Sequence, residues 1–182
     1  MQHGTMQLTE KAHEGDLIIL NEAIAMGASR RMDLGLASLF TTTPVEVPVI
    51  VERSMVPGPT VLITAGIHGD EVNGMEVVRQ VISHGVNKPA RGTIICIPVV
   101  NVFGFIAKSR YFPDGRDLNR VFPGLKGGSL ASRVAHRFTN AVLPVADLCL
   151  DFHTGGADRY NAAQLRITPD DEALKALAAI FH

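Results

Sequence analysis

The sequence predicts an α/β fold, a three-layer α/β/α arrangement around a mostly parallel or mixed central sheet. Three observations predict it. First, Thr60-Val61-Leu62-Ile63-Thr64-Ala65-Gly66, Thr93-Ile94-Ile95-Cys96-Ile97-Pro98-Val99-Val100 and Asp147-Leu148-Cys149-Leu150-Asp151-Phe152-His153 are apolar runs of strand length, the pattern of strands buried on both faces. Second, the period switches between the first two runs: Val72, Met75, Val78, Val81 and Ile82 recur at helical spacing and end at Gly85. A strand, a helix and a strand in this order make a right-handed βαβ unit. Third, 182 residues with 46% hydrophobic and 19% charged side chains suffice for one domain with a core, and are few for two.

Taken in order, residues 1–44 read as an N-terminal extension and packing segment, and residues 45–182 as the main domain. Up to about Gly15 the periodicity is weak, as in a loosely packed arm. Leu17 to Met26 is apolar enough to pack, as a short helix or a strand. Val45 to Glu52 alternates and is β-branched, so it reads as a strand, and Pro48 places it at a sheet edge. Pro57-Gly58-Pro59 is a turn. Asn101 to Gly128 has little periodicity and is rich in Gly, Pro, Arg and Asp; a long irregular loop that is also apolar and aromatic reads as functional rather than as a linker. Ser129 reads as the N-cap of a helix from Leu130 to Val142. Gln164 to Ile167 reads as one more strand, and Asp170 to Phe181 as a helix.

Composition excludes several classes. A formal net charge of -1 gives no electrostatic attraction to nucleic acid or to anionic membrane. No apolar run approaches the ~18 residues needed to span a bilayer. The start, Met1-Gln2-His3-Gly4-Thr5, lacks the basic and then apolar layout of a secretory signal. Cys96 and Cys149 fall inside strand-like runs and read as buried reduced thiols. The expectation is a soluble, cytoplasmic protein.

Chemistry concentrates at the ends of the predicted strands. His68 and Glu71 follow the first buried strand, in Ile67-His68-Gly69-Asp70-Glu71, and His153 ends the third. Two imidazoles and one carboxylate are the ligand set of an open zinc site, in which the fourth position stays free for water. Taken alone, His-x-x-Glu also fits a helix start, where Asp70 and Glu71 favour the positive end of the dipole. Placement at the carboxyl edge of a sheet, where open α/β folds bind ligands, favours the metal. Strand alternation puts Asp151 and His153 on one face. Asp151 is there either to orient the imidazole or as a solvated strand-end carboxylate. Asn119 and Arg120, in Asp117-Leu118-Asn119-Arg120-Val121-Phe122-Pro123-Gly124, suit a substrate carboxylate held by a charge-assisted fork, or else a plain surface turn. Arg110 and Arg116 flank the same loop and point to an anionic ligand.

His-Gly-Asp-Glu, then Asp-Leu-Asn-Arg-Val-Phe-Pro-Gly, then Asp-Phe-His-Thr-Gly, in this order from about Val45 to Thr168, resembles the succinylglutamate desuccinylase/aspartoacylase family. That family is a branch of the zinc carboxypeptidase-like hydrolases. The resemblance implies a zinc carboxypeptidase-like fold and one Zn2+ per chain, held by His68, Glu71 and His153. It further implies that Asn119 and Arg120 grip the carboxylate of a small N-acyl amino acid, whose amide is hydrolysed. This sequence departs from the family pattern in two places. Phe103 stands where aspartoacylase-type members carry an arginine that polarises the scissile carbonyl, leaving Arg110 or Arg116 to reach that point. The family's general-base glutamate lies downstream of the second histidine motif; Glu172 is the only glutamate after His153 and lacks the family's surroundings. With Lys175 to His182 ending in mid-helix, the expectation is a chain truncated at its C-terminus. A non-catalytic metal- or carboxylate-binding fragment and a metallocarboxypeptidase are the rival expectations.

Overall fold

The computed structural model describes residues 13–39 and 41–181, so most of the arm expected before Gly15 lies outside the described residues. Among the described residues there are seven strands: β1 (Leu17–Ile19), β2 (Glu22–Ile24), β3 (Ser29–Ser38), β4 (Pro44–Arg53), β5 (Thr60–Ala65), β6 (Thr93–Ile97) and β7 (Leu148–Phe152). The helices are α1 (Val72–Ser83), α2 (Val102–Ala107), α3 (Leu130–Ala141) and α4 (Glu172–Ala178). β1 and β2 form a separate hairpin, which settles Leu17 to Met26 as strand. The other five strands make one mixed sheet in the order β3-β4-β6-β5-β7. β6 and β7 lie parallel to β5 on either side of it, while β4 and β3 run antiparallel to their neighbours.

Period-2 alternation sorts the sheet residues onto two faces. On one face Leu62, Ile95 and Ile97 join Val47, Val49 and Val51 of β4 and pack against Val134, Ala135, Phe138 and Val142 of α3 and its end. On the other, Ala65 and Cys96 pack against Met75 and Val78 of α1, with Ile50, Ile63 and Ile94 beside them. Helix, sheet, helix is the expected three-layer order. The two parallel connections leave the sheet on opposite faces: β5 exits into α1, and β6 exits through α2 into α3. A crevice therefore opens at the carboxyl ends of β5 and β6, where open α/β sheets place ligands.

Local chemistry fixes the helix ends near that crevice. Ser129 caps α3, its side chain accepting from the Ser132 amide. Asp114 accepts from the Ala131 amide at 3.0 Å and so ties the long loop to the same helix start. Asn101 is fully buried and caps α2 by accepting from the Gly104 amide at 2.8 Å.

The structure differs from the sequence expectations at five points. Residues 29–38, within the expected packing segment, form a ten-residue strand of the main sheet, burying Met32, Leu34 and Leu36 on alternate positions. Pro48 is not at the sheet edge, because β3 pairs outside β4. It is tolerated because the β4–β6 ladder runs only from Ile50 to Arg53, so Pro48 lies past its end. The Asn101–Gly128 loop contains α2 and a 3-10 turn at Leu118–Arg120. Gln164 to Ile167 has no strand partner and is exposed and irregular. Cys149 is exposed while Cys96 is buried, because Cys149 lies on the outermost described strand, on the sheet face away from α1, whereas Cys96 is covered by Met75 and Val78 of α1; both thiols are free.

Candidate metal centre

β5 and β7 are adjacent and parallel, with Ala65 opposite Phe152. The chain leaves β7 directly into His153 and leaves β5 through Gly66 and Ile67 into His68. Neighbouring strand ends thus bring the two histidines together from distant parts of the sequence, with ring centroids 4.9 Å apart. Gly66 turns the chain with φ +68°, a conformation open to glycine. Gly69 is required by crowding: a Cβ there would lie 1.9 Å from the Gly104 carbonyl carbon in α2. The turn then delivers Glu71 at the residue preceding α1, where its carboxylate faces back toward the strand ends.

The arrangement has two layers. Glu71 lies between the imidazoles: its Oε1 is 2.8 Å from His68 Nδ1 and its Oε2 is 3.0 Å from His153 Nδ1. Oε2 also accepts from the Thr154 amide at 2.8 Å. His68 and Glu71 are each only 3% exposed, whereas His153 is open on one side. Outside them, His68 Nε2 is 3.2 Å from Asp117 Oδ1, and His153 Nε2 is 2.6 Å from Asp151 Oδ2. Each outer carboxylate is itself held. Arg110 donates to Asp117 Oδ2 from Nε at 3.0 Å and from Nη2 at 2.9 Å, and the Asn119 amide donates to Oδ1 at 2.9 Å. The Thr64 hydroxyl donates to Asp151 Oδ1 at 2.8 Å.

The electrostatics follow from these contacts. The hydrogen bond to Asp151 raises the His153 pKa above the ordinary imidazole value, against the opposing effect of burial, and the negative charges of Asp151 and Glu71 add to it. Burial alone would raise Asp117, but the Arg110 guanidinium, the Asn119 amide and charge on His68 outweigh it and hold the carboxyl below its ordinary value. In the neutral tautomer that donates Nε2–H outward to its carboxylate, each ring turns an Nδ1 lone pair toward Glu71. Two lone pairs and a carboxylate then converge with no proton between them, an arrangement that a metal cation, or a proton on either ring, relieves. Candidate ligand atoms of His68, Glu71 and His153 all lie within 4.8 Å of one another, compared with the ~3.3 Å between neighbouring ligands of tetrahedral zinc. The donor set fits zinc, and a carboxylate behind each ligating imidazole is the arrangement that fixes its tautomer.

The remaining expected residues divide. Arg110 reaches the cluster, its Nη1 3.4 Å from Glu71 Oε1. Arg116 does not: it is exposed, its carbonyl accepts from the Phe112 amide, and the acid that faces it is Asp114. Asn119 and Arg120 are exposed on the 3-10 turn that Asp117 caps, so they stand next to His68 without touching it; Arg120 Nη1 donates to the Asn119 carbonyl at 3.2 Å. Phe103 packs against Phe112 with the rings tilted, their centroids 5.7 Å apart. Asp117 was not among the expected site residues, although it opens the Asp-Leu-Asn-Arg motif. On the other side, a cleft of about 370 Å³ adjoins the cluster at Thr154 and is lined by Asp70, Asn73, Gly155, Arg159 and Tyr160.

The profile of the succinylglutamate desuccinylase/aspartoacylase catalytic domain matches residues 57–182, which include every residue of this cluster. An N-alpha-acetyl-L-2,4-diaminobutyric acid deacetylase of Halomonas elongata is 39% identical over 114 residues, 62% of this chain and 33% of that protein. An aspartoacylase family protein of Mesorhizobium loti superposes with a TM-score of 0.63 at 33% identity, covering 71% of this chain and 41% of the other. The product-bound ectoine utilization protein EutE (DoeB) of Ruegeria pomeroyi gives 0.60 at 33% identity, covering 70% and 40%. The chain thus spans between a third and about two fifths of the length of these relatives. With the profile matching more than half of its residues, the chain belongs to the succinylglutamate desuccinylase/aspartoacylase catalytic domain family.

Proposed function

We propose that this chain carries the zinc site and carboxylate-recognition loop of a deacylase that hydrolyses the amide bond of small N-acyl amino acids. The observation that carries the reading is the convergence of two inward-facing imidazoles on one buried carboxylate, each imidazole backed by a second carboxylate. His68 and His153 would hold zinc through Nδ1, and Glu71 would hold it through its carboxylate. A zinc ion there supplies Lewis acidity toward an amide carbonyl and lowers the pKa of water.

The chain's own residues do the rest. Asn119 and Arg120, exposed beside His68, orient the substrate by its free carboxylate. Arg110 is anchored on Asp117 by Nε and Nη2, which leaves Nη1 beside Glu71 to stabilise negative charge developing on the carbonyl oxygen. This supplies from the loop what Phe103 cannot. Two free cysteines suit a reducing, cytoplasmic setting.

A second reading, metal binding without turnover, is favoured by one observation. Glu71, Asp117 and Asp151 are each occupied in holding an imidazole, and among the described residues no other glutamate contacts the cluster. Absence of a general base costs on the order of 100- to 10,000-fold in rate. The test is to incubate the zinc-loaded chain with N-acetyl and N-succinyl amino acids and assay the free amine. Slow, chelator-sensitive release that disappears when the substrate carboxylate is amidated is the expected result. Zinc uptake with no release from any substrate would leave only the second reading, and release from peptides alone would make the chain a carboxypeptidase.

A further inference from the structure

The two imidazoles are supported differently. On the His68 side, Asp117 is held by a guanidinium and an amide. On the His153 side, Asp151 Oδ1 is held by one neutral group, the Thr64 hydroxyl, at 2.8 Å. Thr64 and Asp151 are direct register partners on the adjacent strands β5 and β7, so the bond crosses the sheet two residues before His153. Thr64 is 1% exposed, and a threonine in a strand has few rotamers, so its hydroxyl direction is set by the backbone. The Cys149 thiol adjoins the same hydroxyl, but sulfur is a weak acceptor beside a carboxylate, so the proton goes to Asp151.

We infer that Thr64 is a positioning residue of the metal centre: by fixing Asp151 Oδ1, it leaves Oδ2 directed at His153 Nε2–H, which sets the tautomer that turns Nδ1 inward. The inference rests on the reading of His68, Glu71 and His153 as a zinc site. No other side chain of β5 holds the Asp151 carboxylate among the described contacts. Without the hydroxyl, the carboxylate can rotate and the imidazole loses its fixed partner.

The experiment is zinc titration against a competing chromophoric chelator, for the wild type, Thr64→Val and Thr64→Ser, with melting temperature and imidazole nitrogen resonances of the zinc-free proteins recorded alongside. Loss of a partner behind a ligand weakens metal binding by ~10- to 100-fold, and Thr64 acts one bond further out, so about 3- to 10-fold is expected for Thr64→Val. Thr64→Ser should bind within about twofold of wild type, and the valine variant should show His153 partly in the Nδ1–H tautomer. Should Thr64→Val fail to fold, Thr64→Ala removes the same donor without crowding the strand. Equal zinc affinity in wild type and the valine or alanine variant, or a lowered melting temperature with unchanged affinity and tautomer, would overturn the inference. A wild type that binds no zinc defeats the metal reading itself. The tautomer readout then still decides on Thr64, and an unchanged His153 ring in the variant would overturn it.

Discussion

Asp117 shows what a residue's neighbours contribute that its identity does not. In sequence it is one acid at the head of a loop motif; in the fold it faces His68 across that loop with Arg110 behind it. Replacement by Asn keeps the size but removes the charge that holds the imidazole. Asp117→Asn should therefore weaken zinc binding by ~10- to 100-fold, as isothermal titration would show; an unchanged affinity would remove Asp117 from the centre. The meeting of His68, Glu71 and His153 was legible as an expectation, because each follows a predicted strand and the ordered motifs named the three together; the structure brings them within reach of one another. Arg110 and Arg116 could not be told apart, because the choice depends on a turn. The Gly115 amide donates to the Phe112 carbonyl and the Phe112 amide to the Arg116 carbonyl, and this reversal carries Arg116 to the exposed side. Arg120 is exposed on the 3-10 turn that Asp117 caps, and Arg120→Ala should raise KM for an N-acyl amino acid and leave zinc content unchanged. A fall in kcat alone would assign Arg120 elsewhere. The thiols make a further distinction: burial pushes Cys96 up to about 12, so iodoacetamide at pH 8 should leave it unmodified until the chain is unfolded.

Elements position these residues through a few close approaches. The His68–Gly69 turn touches α2 at backbone distance, and any side chain at Gly69 must push the two apart. Gly69→Ala is expected to cost ~3 kcal/mol or more in a denaturant titration and to reduce zinc binding, because His68 sits on the displaced turn. The long loop is fastened to α3 by Asp114. Burial raises that carboxyl, but the Ala131 amide, the Ser129 hydroxyl and the Arg116 amide and charge outweigh it and hold it below its ordinary value. A carboxyl lowered in the folded state contributes stability above its unfolded pKa and loses it as pH falls through the lower folded one. Asp114→Asn should thus cost about 0.5–1 kcal/mol at pH 7, and the difference from wild type should shrink below about pH 4. A pH-independent difference would mean the carboxylate charge plays no part. The strands were less evenly legible than the helices. β5, β6 and β7 are runs of apolar residues, whereas β3 interleaves Met32, Leu34 and Leu36 with Arg31, Asp33 and Gly35, and a register shift after Gly35 weakens the signal further. Pro48 misled because proline excludes an interior strand only where a ladder bond is needed, and the short β6 ends before reaching it.

At the scale of the molecule, the sheet order explains why a cluster assembled from separate motifs could be anticipated at all. β5 is flanked by β6 and β7, so the loop after β5, the long loop after β6 and the residue ending β7 share one edge. The βαβ pattern makes β5 and β6 neighbours, while the placement of β7 on the other side of β5 depends on pairing between distant segments. Binding to the folded chain alone should also raise its melting temperature, by about 2.7 kcal/mol of added stability at a zinc concentration 100 times Kd. The central claim is that His68, Glu71 and His153 form one zinc site. The most direct test is elemental analysis of the protein purified without added metal, beside His68→Ala and His153→Ala. About one zinc per chain, lost in both folded variants, is the predicted result. Zinc retained in both variants, or none in a folded wild type even after zinc is added, would contradict it.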